Sequence, residues 1–293
     1  MTRCGLVVMV GALVVLAGCG GGTANPSSTG SDQVMVEPQN SSLTVGVNRV
    51  SVALLDANRN PLAMSDVSLQ LRNAAGRTLE QRSLTNVAAQ YGGIPVYIGV
   101  ASFPDVGQYQ FIVRGKHGGA EVSGHAFVTV QLHSQEVMVG APAPAVKQPV
   151  LGDPGVTIGK IDSGVPPDTW HSETVAQGVR EHKPMVLFFG DPAYCPSKTC
   201  GPTVGILQQL CAQYCSTMLF EHIETYYPAQ APGPNAPVNP AFTGFGLQTD
   251  PWVFFVNASG VVSDRYEGPV TLGQLVQSAE GTLAGKVPAV GLS

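Results

Sequence analysis

The sequence has few charged residues and no surplus of basic ones. Asp, Glu, Lys and Arg make up 12% of the 293 residues, and 20 acidic side chains against 15 basic ones give a formal net charge of −5. Nucleic-acid-binding surfaces depend on clustered Lys and Arg, so this balance argues against nucleic acid as a partner. Hydrophobic residues account for 44% of the chain. The composition therefore indicates a soluble globular protein with enough apolar material to build a core.

An apolar run long enough to cross a bilayer comfortably is missing at the N-terminus. The segment GLVVMVGALVVLAG, residues 5–18, follows a single Arg and precedes no stop-transfer segment, so it predicts a signal-peptide core. It ends in LAGC, which resembles the bacterial lipoprotein box. The resemblance implies that residues 1–18 are removed and that Cys19 carries lipid, anchoring the chain in the cell envelope on the extracytoplasmic side of a bacterial membrane. An ordinary signal peptide or a membrane anchor is the alternative.

Cysteine is scarce over most of the sequence. One of the six cysteines precedes the predicted cleavage point and Cys19 is the predicted lipid site. The remaining four fall within 21 consecutive residues: Cys195, Cys200, Cys211 and Cys215. A disulfide scaffold would spread its cysteines along the chain, so this clustering favours one local role. An exported chain also lies in a compartment where disulfides persist.

Two low-complexity segments divide the mature chain. Residues 19–33 are rich in Gly and Ser and predict a flexible tether, whereas residues 133–165 contain GAPAPAVKQPVLGDPG and predict a stiffer, extended spacer. Between them, residues 34–132 contain short alternating apolar runs such as VSLQLRN and GQYQFIVRG, separated by turn clusters. This pattern predicts an all-β sandwich and resembles immunoglobulin-like modules of exported bacterial proteins. We expect it to act as a spacer or docking module.

Residues 166–288 have an alternating pattern of helices and strands. The predicted order is helix, strand, helix, strand, hairpin and helix, in the segments SETVAQGVREHK, PMVLFFGDP, PTVGILQQLCAQYC, TMLFEHIETYY, TDPWVFFVNASGVVSDRYEG and residues 271–283. The second of these segments is a continuous apolar run between prolines, typical of a strand buried on both faces. The pattern predicts an α/β domain.

This order, with Cys-Gly-Pro at a strand-to-helix junction and a proline opening the third strand, resembles the thioredoxin-like superfamily. The resemblance implies that Cys200 takes the place of the attacking cysteine and that Gly201 and Pro202 take those of the residues after it. Pro251 takes the place of the cis-proline that faces the site, and Asp250 would present its backbone beside the sulfur.

The sequence departs from the thioredoxin-like pattern at two places. Thr203 stands where the resolving cysteine of a Cys-x-x-Cys motif is expected, and the nearest other cysteine, Cys195, lies five residues before Cys200. The first central strand also lacks a buried acid, since Asp191 comes only at its end. These departures argue against reduction of the kind that thioredoxin performs.

Cys200 is nevertheless expected to be reactive. A helix N-terminus and the nearby Lys198 both favour its thiolate, and a four-residue interval allows Cys195 to fold back onto it. We predict a reversible Cys195–Cys200 disulfide in which Cys200 is the attacked and attacking sulfur; a permanent staple is the alternative. Cys211 and Cys215 lie four apart on the predicted helix, and they form either a second disulfide, which requires the helix to end between them, or two buried thiols.

The residues and the resemblance together predict a lipid-anchored thiol–disulfide oxidoreductase that acts on thiols and disulfides of envelope proteins without a cofactor. One alternative is the copper-delivering Sco family, which has two cysteines in a slightly shorter loop and a distant histidine ligand; here His222 is predicted to lie in a strand. Another is a non-catalytic interaction module with a structural disulfide. His117, His125 and His133 are predicted to be surface residues rather than metal ligands, and no metal site is expected.

Lipidation is directly testable. Radiolabelled palmitate should enter the wild-type protein and should not enter a Cys19→Ser variant, because the acyl chain needs that cysteine. Equal labelling of the two proteins would rule out the lipoprotein box.

Overall fold

The computed structural model describes residues 34–287. The predicted signal peptide, Cys19 and the tether lie outside the described residues, so lipidation stays a prediction. Within residues 34–287, no helix is both long enough and apolar enough to cross a membrane.

The first half of the described chain consists of strands with one short 3-10 turn at Ala88–Gln90. The strands are β1 (Met35–Pro38), β2 (Leu43–Thr44), β3 (Gly46–Leu55), β4 (Ser65–Asn73), β5 (Thr78–Ser83), β6 (Thr85–Asn86), β7 (Val96–Phe103), β8 (Gly107–His117) and β9 (Ala120–Gln131). The second half contains α1 (Ile158–Ile161), α2 (Val175–Arg180), β10 (Met185–Phe189), α3 (Cys200–Tyr214), β11 (Leu219–Ile223), α4 (Pro240–Gly244), β12 (Trp252–Val256), β13 (Val262–Glu267) and α5 (Leu272–Leu283).

The nine strands of the first half form two sheets. One has the order β2-β9-β8-β4-β5 and the other β1-β3-β7-β6. Side chains alternate across each strand, so Leu69 and Leu71 of β4 point into the shared core while Ser68 and Gln70 do not. Both sheets contribute to this core, which makes the first half a two-layer sandwich.

The second half is built on a four-stranded sheet with the order β11-β10-β12-β13. β10 is parallel to β11 and antiparallel to β12, and β12 is antiparallel to β13. Alternate side chains of β10 enter two separate cores: Val186 and Phe188 pack with α3 and α5, whereas Met185, Leu187 and Phe189 pack with α4. Burial on both faces explains why the sequence of β10 is an uninterrupted apolar run.

The elements of the second half follow the order predicted from the sequence, except that the short helices α1 and α4 were not predicted and that α2 and α3 begin at other residues. Helix α2 begins at Val175, because Thr174 rather than Ser172 caps it through a reciprocal pair of bonds with Gln177. The loop before β12 also contains the short helix α4, which the proline-rich sequence did not predict; Asn239 caps it and Pro240 occupies its first position.

Residues 133–165, whose proline content predicted a stiffer, extended spacer, pack against the second half of the chain. The N–H of Gly140 donates to the carbonyl of Val262 and that of Ala143 donates to the carbonyl of Gly260, both at 2.8 Å. These contacts cover the outer side of β13, the edge strand of the second sheet. The extended conformation that proline favours places the remaining amides in position to pair with that edge, so the segment packs instead of separating the two halves.

The sandwich packs directly against the second half through Tyr91. This side chain is fully buried in the same apolar cluster as residues of α3 and α5. Its hydroxyl accepts a hydrogen bond from the N–H of Val270 at 2.6 Å, donates to the Val270 carbonyl at 3.1 Å, and lies 3.3 Å from Oγ1 of Thr203. This contact joins the sandwich to the loop after β13 and to the first turn of α3.

Arg49 makes a second contact between the halves. The guanidinium is 4% exposed and donates to the carbonyl of Glu267 at 2.7 Å and to that of Pro269. Its charge lies 5.7 Å from the centre of the Tyr266 ring, a cation–π arrangement. The two terminal nitrogens of the guanidinium thus bond carbonyls at the end of β13 and just after it, and these bonds hold the loop after β13 against the sandwich.

A Tyr91→Phe variant tests the docking contact. Losing the hydroxyl leaves the buried amide and carbonyl of Val270 without their partner, which should lower the free energy of unfolding by roughly 1–3 kcal/mol. Tyr97→Phe is a matched control, because Tyr97 is equally buried and its hydroxyl bonds Met64 in the same two ways within the sandwich. Amide hydrogen exchange at Val270 should accelerate only in Tyr91→Phe; equal protection in the two variants would contradict the contact.

Candidate active site

Two consecutive turns bring Cys195 back onto Cys200. The carbonyl of Asp191, just after β10, accepts hydrogen bonds from the N–H groups of Tyr194 and Cys195 at 2.9 and 2.8 Å. The carbonyl of Cys195 then accepts one from Lys198 at 3.0 Å, and Lys198 adopts a left-handed φ of 58°. The sulfurs of Cys195 and Cys200 are joined in a disulfide, with the two Cα atoms 6.0 Å apart.

Cys200 is the first residue of α3, two positions earlier than the sequence predicted. Its sulfur therefore lies at the helix N-terminus, where unpaired amides and the helix dipole favour a thiolate. Gly201 and Pro202 follow in the first turn, where proline is tolerated because no amide bond is needed there. Gly201 is exposed, and a Cβ built on it would have no neighbour closer than 4.0 Å.

The two cysteines of the pair differ in exposure, which bears on the predicted roles without testing them. Cys200, the expected attacking residue, is 0% exposed, whereas Cys195 is 8% exposed and follows the exposed Tyr194. An incoming thiolate must reach the sulfur that it attacks, so access favours Cys195. Lys198 is exposed, and in the part of the chain that the structure describes its side chain has no hydrogen-bond or ion-pair partner.

A carboxyl group contacts the buried sulfur. Oδ2 of Asp250 lies 3.3 Å from Sγ of Cys200, so the side chain of Asp250, and not only its backbone, faces the pair. The peptide bond between Asp250 and Pro251 is cis, as the resemblance implied. Burial, and next the negative charge of Asp191, raise the pKa of Asp250 to about 6.

Asp250 belongs to a group of three carboxyls. Asp191 accepts a hydrogen bond from the N–H of Thr225 at 2.8 Å. Burial, and next a hydrogen bond to Asp191, raise the pKa of Glu224 to about 9. Sequence reasoning missed Glu224, although a signal was present: Asp191 and Glu224 follow two parallel strands, whose carboxyl ends meet at the same edge of the sheet.

Thr203, at the position of the missing resolving cysteine, is fully buried. Its Oγ1 donates to the carbonyl of Thr199 at 2.8 Å, and the hydroxyl of Tyr91 from the sandwich lies beside it. The sandwich therefore occupies the space next to this position. The sulfur bonded to Cys200 belongs instead to Cys195, in the loop before α3.

A cleft between the two halves reaches the site. It has a volume of about 260 Å³ and is lined on one side by Thr199, Asp250 and Pro251, and on the other by sandwich residues that include Ile94 and Pro95. Its lining mixes apolar residues, such as Ile94 and Val96, with polar and charged ones, such as Ser197 and Glu267.

Cys211 and Cys215 form a second disulfide at the far end of α3. The helix ends at Tyr214 and Cys215 is its C-terminal capping residue, and the two cysteine Cα atoms are 4.6 Å apart. Because Cys215 is exposed, the alternative of two buried thiols is wrong. This bond lies about 16 Å along the helix from Cys200, too far to exchange with the first pair.

The histidines do not complete a copper site at the cysteine pair. The third candidate ligand there is a carboxylate: donor atoms of Cys195, Cys200 and Asp250 lie within 4.8 Å of one another. A carboxylate is a poor ligand for Cu(I), which prefers soft donors, so this set does not fit the Sco pattern. His222 bonds elsewhere, to the Gly190 carbonyl and to Asp168. The three histidines predicted to lie on the surface, His117, His125 and His133, are exposed.

No protein-family model and no curated protein matches the sequence. Among solved structures, a thiol:disulfide interchange protein of the thioredoxin family from Chlorobium tepidum TLS is 20% identical, with a TM-score of 0.29, over 45% of this chain and 99% of that one. The Lin-41 filamin domain is 18% identical, with a TM-score of 0.24, over 35% of this chain and 96% of that one. An engineered protein is 12% identical, with a TM-score of 0.25; the match covers 35% of this chain but only 21% of that protein. Overall similarity at this level does not establish a shared activity.

Proposed function

We propose that the second half is a thioredoxin-like domain and that the protein is a lipid-anchored, extracytoplasmic thiol–disulfide oxidoreductase with Cys195 and Cys200 as its redox pair. The observation that carries the proposal is the environment of Cys200. Its sulfur lies at the N-terminus of α3, in a disulfide, and 3.3 Å from a carboxyl whose pKa is raised to about 6. A disulfide at a site that stabilises one of its two thiolates is suited to exchange.

The burial of Cys200 supports a scheme in which Cys195, and not Cys200, is the sulfur that is attacked. A substrate thiolate attacks Sγ of Cys195, forming a mixed disulfide, while the Cys195–Cys200 bond breaks and Cys200 leaves as a thiolate. The helix N-terminus stabilises that leaving group, and a protonated Asp250 donates a hydrogen bond or its proton to it. A second substrate thiolate then attacks the substrate sulfur of the mixed disulfide and releases Cys195. Two electrons pass from a substrate dithiol to the pair; the reverse sequence reduces a substrate disulfide.

The cleft supports a polypeptide substrate. Pro251 and Asp250 form one wall and the edge of the sandwich near Ile94 and Pro95 forms the other. A partner segment lying between these walls would meet the loop that contains Cys195. The sandwich then serves as part of the binding surface, and the partners are thiols and disulfides of other envelope proteins.

An interaction module with a structural disulfide is the second candidate. The complete burial of Cys200 and the docking of Tyr91 beside Thr203 favour it. In that case the Cys195–Cys200 bond only holds the loop before α3.

Single-cysteine variants distinguish the roles. Each variant also contains Cys4→Ser, Cys19→Ser, Cys211→Ser and Cys215→Ser, and each is mixed with a peptide whose one cysteine is activated with thionitrobenzoate. With Cys200→Ser, the accessible Cys195 should form the mixed disulfide with the peptide. With Cys195→Ser, the reaction should be at least roughly tenfold slower, because Cys200 is covered.

The release of thionitrobenzoate gives the rate for each variant, and the mass of the adduct identifies the mixed disulfide. The opposite order would return Cys200 to the attacking role that the sequence predicted. An absence of reaction in both variants would support the interaction module.

A charge-neutral Asp250→Asn variant tests the carboxyl. Above its pKa of about 6, ionised Asp250 repels the thiolate that forms on Cys200, whereas below it the neutral acid does not. The rate of disulfide opening per unit of attacking thiolate should therefore fall in the wild type as the pH rises through about 6. Asp250→Asn should be flat over this range and several-fold faster than the wild type at pH 8.

An Asp250→Glu variant, which keeps a titratable carboxyl, serves as the control and should retain a pH-dependent rate. A wild-type rate that is independent of pH between 5 and 8, after correction for the attacking thiolate, would contradict a role for Asp250.

A further inference from the structure

Four metal-ligating side chains meet in a second cluster that the redox proposal does not use. Asp162 caps the C-terminus of α1, Asp168 and His171 follow in the same segment, and His222 lies on β11. Their side chains are between 0% and 4% exposed. Two carboxylates and two imidazoles are thus held together away from solvent.

Four donor-to-donor separations within this cluster are close to those expected around one small ion, with Asp168 contributing Oδ1 to one of them and Oδ2 to another. Nε2 of His171 lies 3.1 Å from Oδ2 of Asp162 and 3.2 Å from Oδ1 of Asp168, and Nδ1 of His222 lies 2.9 Å from Oδ2 of Asp168 and 3.7 Å from Oδ2 of Asp162. Four ligands at about 2.0–2.1 Å from a tetrahedral centre are about 3.3–3.4 Å apart. The observed distances lie on both sides of that value.

Surrounding backbone groups orient the four ligands. Nε2 of His222 bonds the carbonyl of Gly190 at 2.9 Å, which places the proton of a neutral imidazole on Nε2 and leaves the Nδ1 lone pair facing the carboxylates. The N–H of Gly164 donates to Asp162 at 2.6 Å, and that of Trp170 donates to Asp168 at 2.9 Å. Such outer bonds to histidine and carboxylate ligands are the usual support of a metal site.

The Nδ1 lone pair of His222 faces two buried carboxylates. Because these groups repel one another, a cation is required between them. The cation is either a proton on His222 or a metal ion. Two carboxylates neutralise a divalent ion, and two imidazoles with two carboxylates form a donor set typical of zinc. Because all four positions come from buried protein side chains, such a site has no open position for a substrate and is structural.

We propose that Asp162, Asp168, His171 and His222 bind one divalent transition-metal ion, with Zn²⁺ as the preferred ion. The ion would join the segment after α1 to β11. Through His222 it would also hold the carbonyl of Gly190 at the end of β10. Sequence patterns do not indicate this site, since His222 lies 51 residues beyond His171 and the ligand spacing matches no short metal motif. The proposal does not depend on the redox function.

The test uses the full chain with Cys4→Ser and Cys19→Ser and with both disulfides oxidised, so that no thiolate is free to bind. After chelator treatment and dialysis, the wild type is titrated with Co²⁺ and then with Zn²⁺. One equivalent of Co²⁺ should give the visible absorption of a tetrahedral complex without the near-ultraviolet band of thiolate ligation, and Zn²⁺ should displace it. The protein as purified should also contain about one metal ion per chain by mass spectrometry.

His171→Gln and Asp162→Asn should each abolish the Co²⁺ spectrum. His182→Gln should keep it, because His182 is exposed and bonds only the Ala258 carbonyl. Circular dichroism shows whether each variant folds. If both ligand variants fail to fold, the wild-type titration decides: no binding at one equivalent overturns the proposal and leaves a protonated, hydrogen-bonded cluster. Binding that is unchanged in a folded ligand variant overturns it as well.

Discussion

The carboxyl end of β10 is the constraint on which the rest of the site depends. Gly190 has no Cβ, and one built there would lie 2.6 Å from the Phe188 ring and 3.2 Å from Sγ of Cys200, so only glycine lets the buried sulfur approach the strand this closely. The next residue, Asp191, turns the chain so that Cys195 returns to Cys200, and its carboxylate faces the other two acids of the site. The disulfide, the carboxyl group and the proposed metal cluster all meet at these two residues.

The docking of the sandwich changes what this active-site face can do. A resolving cysteine at Thr203 would lie under Tyr91, in a place closed to a partner protein. Cys200 is instead paired with Cys195, which lies in the loop before α3 beside the exposed Tyr194. The same docking creates the cleft beside Pro251. The unusual cysteine spacing is therefore consistent with the position of the sandwich. Because the sandwich covers the first turn of α3 at Thr203, a second cysteine could reach a partner only from the loop before the helix.

Local patterns predicted much of the fold because they report local physics. The apolar run of β10 and the alternation in β4 each determine their own element. Properties that depend on which distant segments meet were not predictable in this way. The prolines of residues 133–165 indicate an extended chain but not that it covers β13, and nothing near Cys200 indicates that its sulfur is fully buried.

The carboxyl group beside Cys200 and the cluster of two Asp and two His residues also depend on which distant segments meet. Asp250 was recognised only through the proline that follows it, because a side chain's direction depends on the cis bond and on the packing around it. Asp168 and His171 are close in sequence, but His222 joins them only because β11 is the edge strand beside that segment. A search for ligands at short, regular spacings in the sequence does not find residues that meet only because a strand at the edge of a sheet lies beside a distant segment.

The reduction potential of the Cys195–Cys200 pair tests the central claim most directly. It should be measured by redox titration of the full chain containing Cys211→Ser and Cys215→Ser, at pH 7, with the alkylated fraction of Cys195 as the readout. Because the helix N-terminus stabilises the Cys200 thiolate and so the reduced form, the account predicts a reversible transition above about −300 mV. A pair that stays oxidised below that potential would be a structural bond, and the claim of an oxidoreductase would be contradicted.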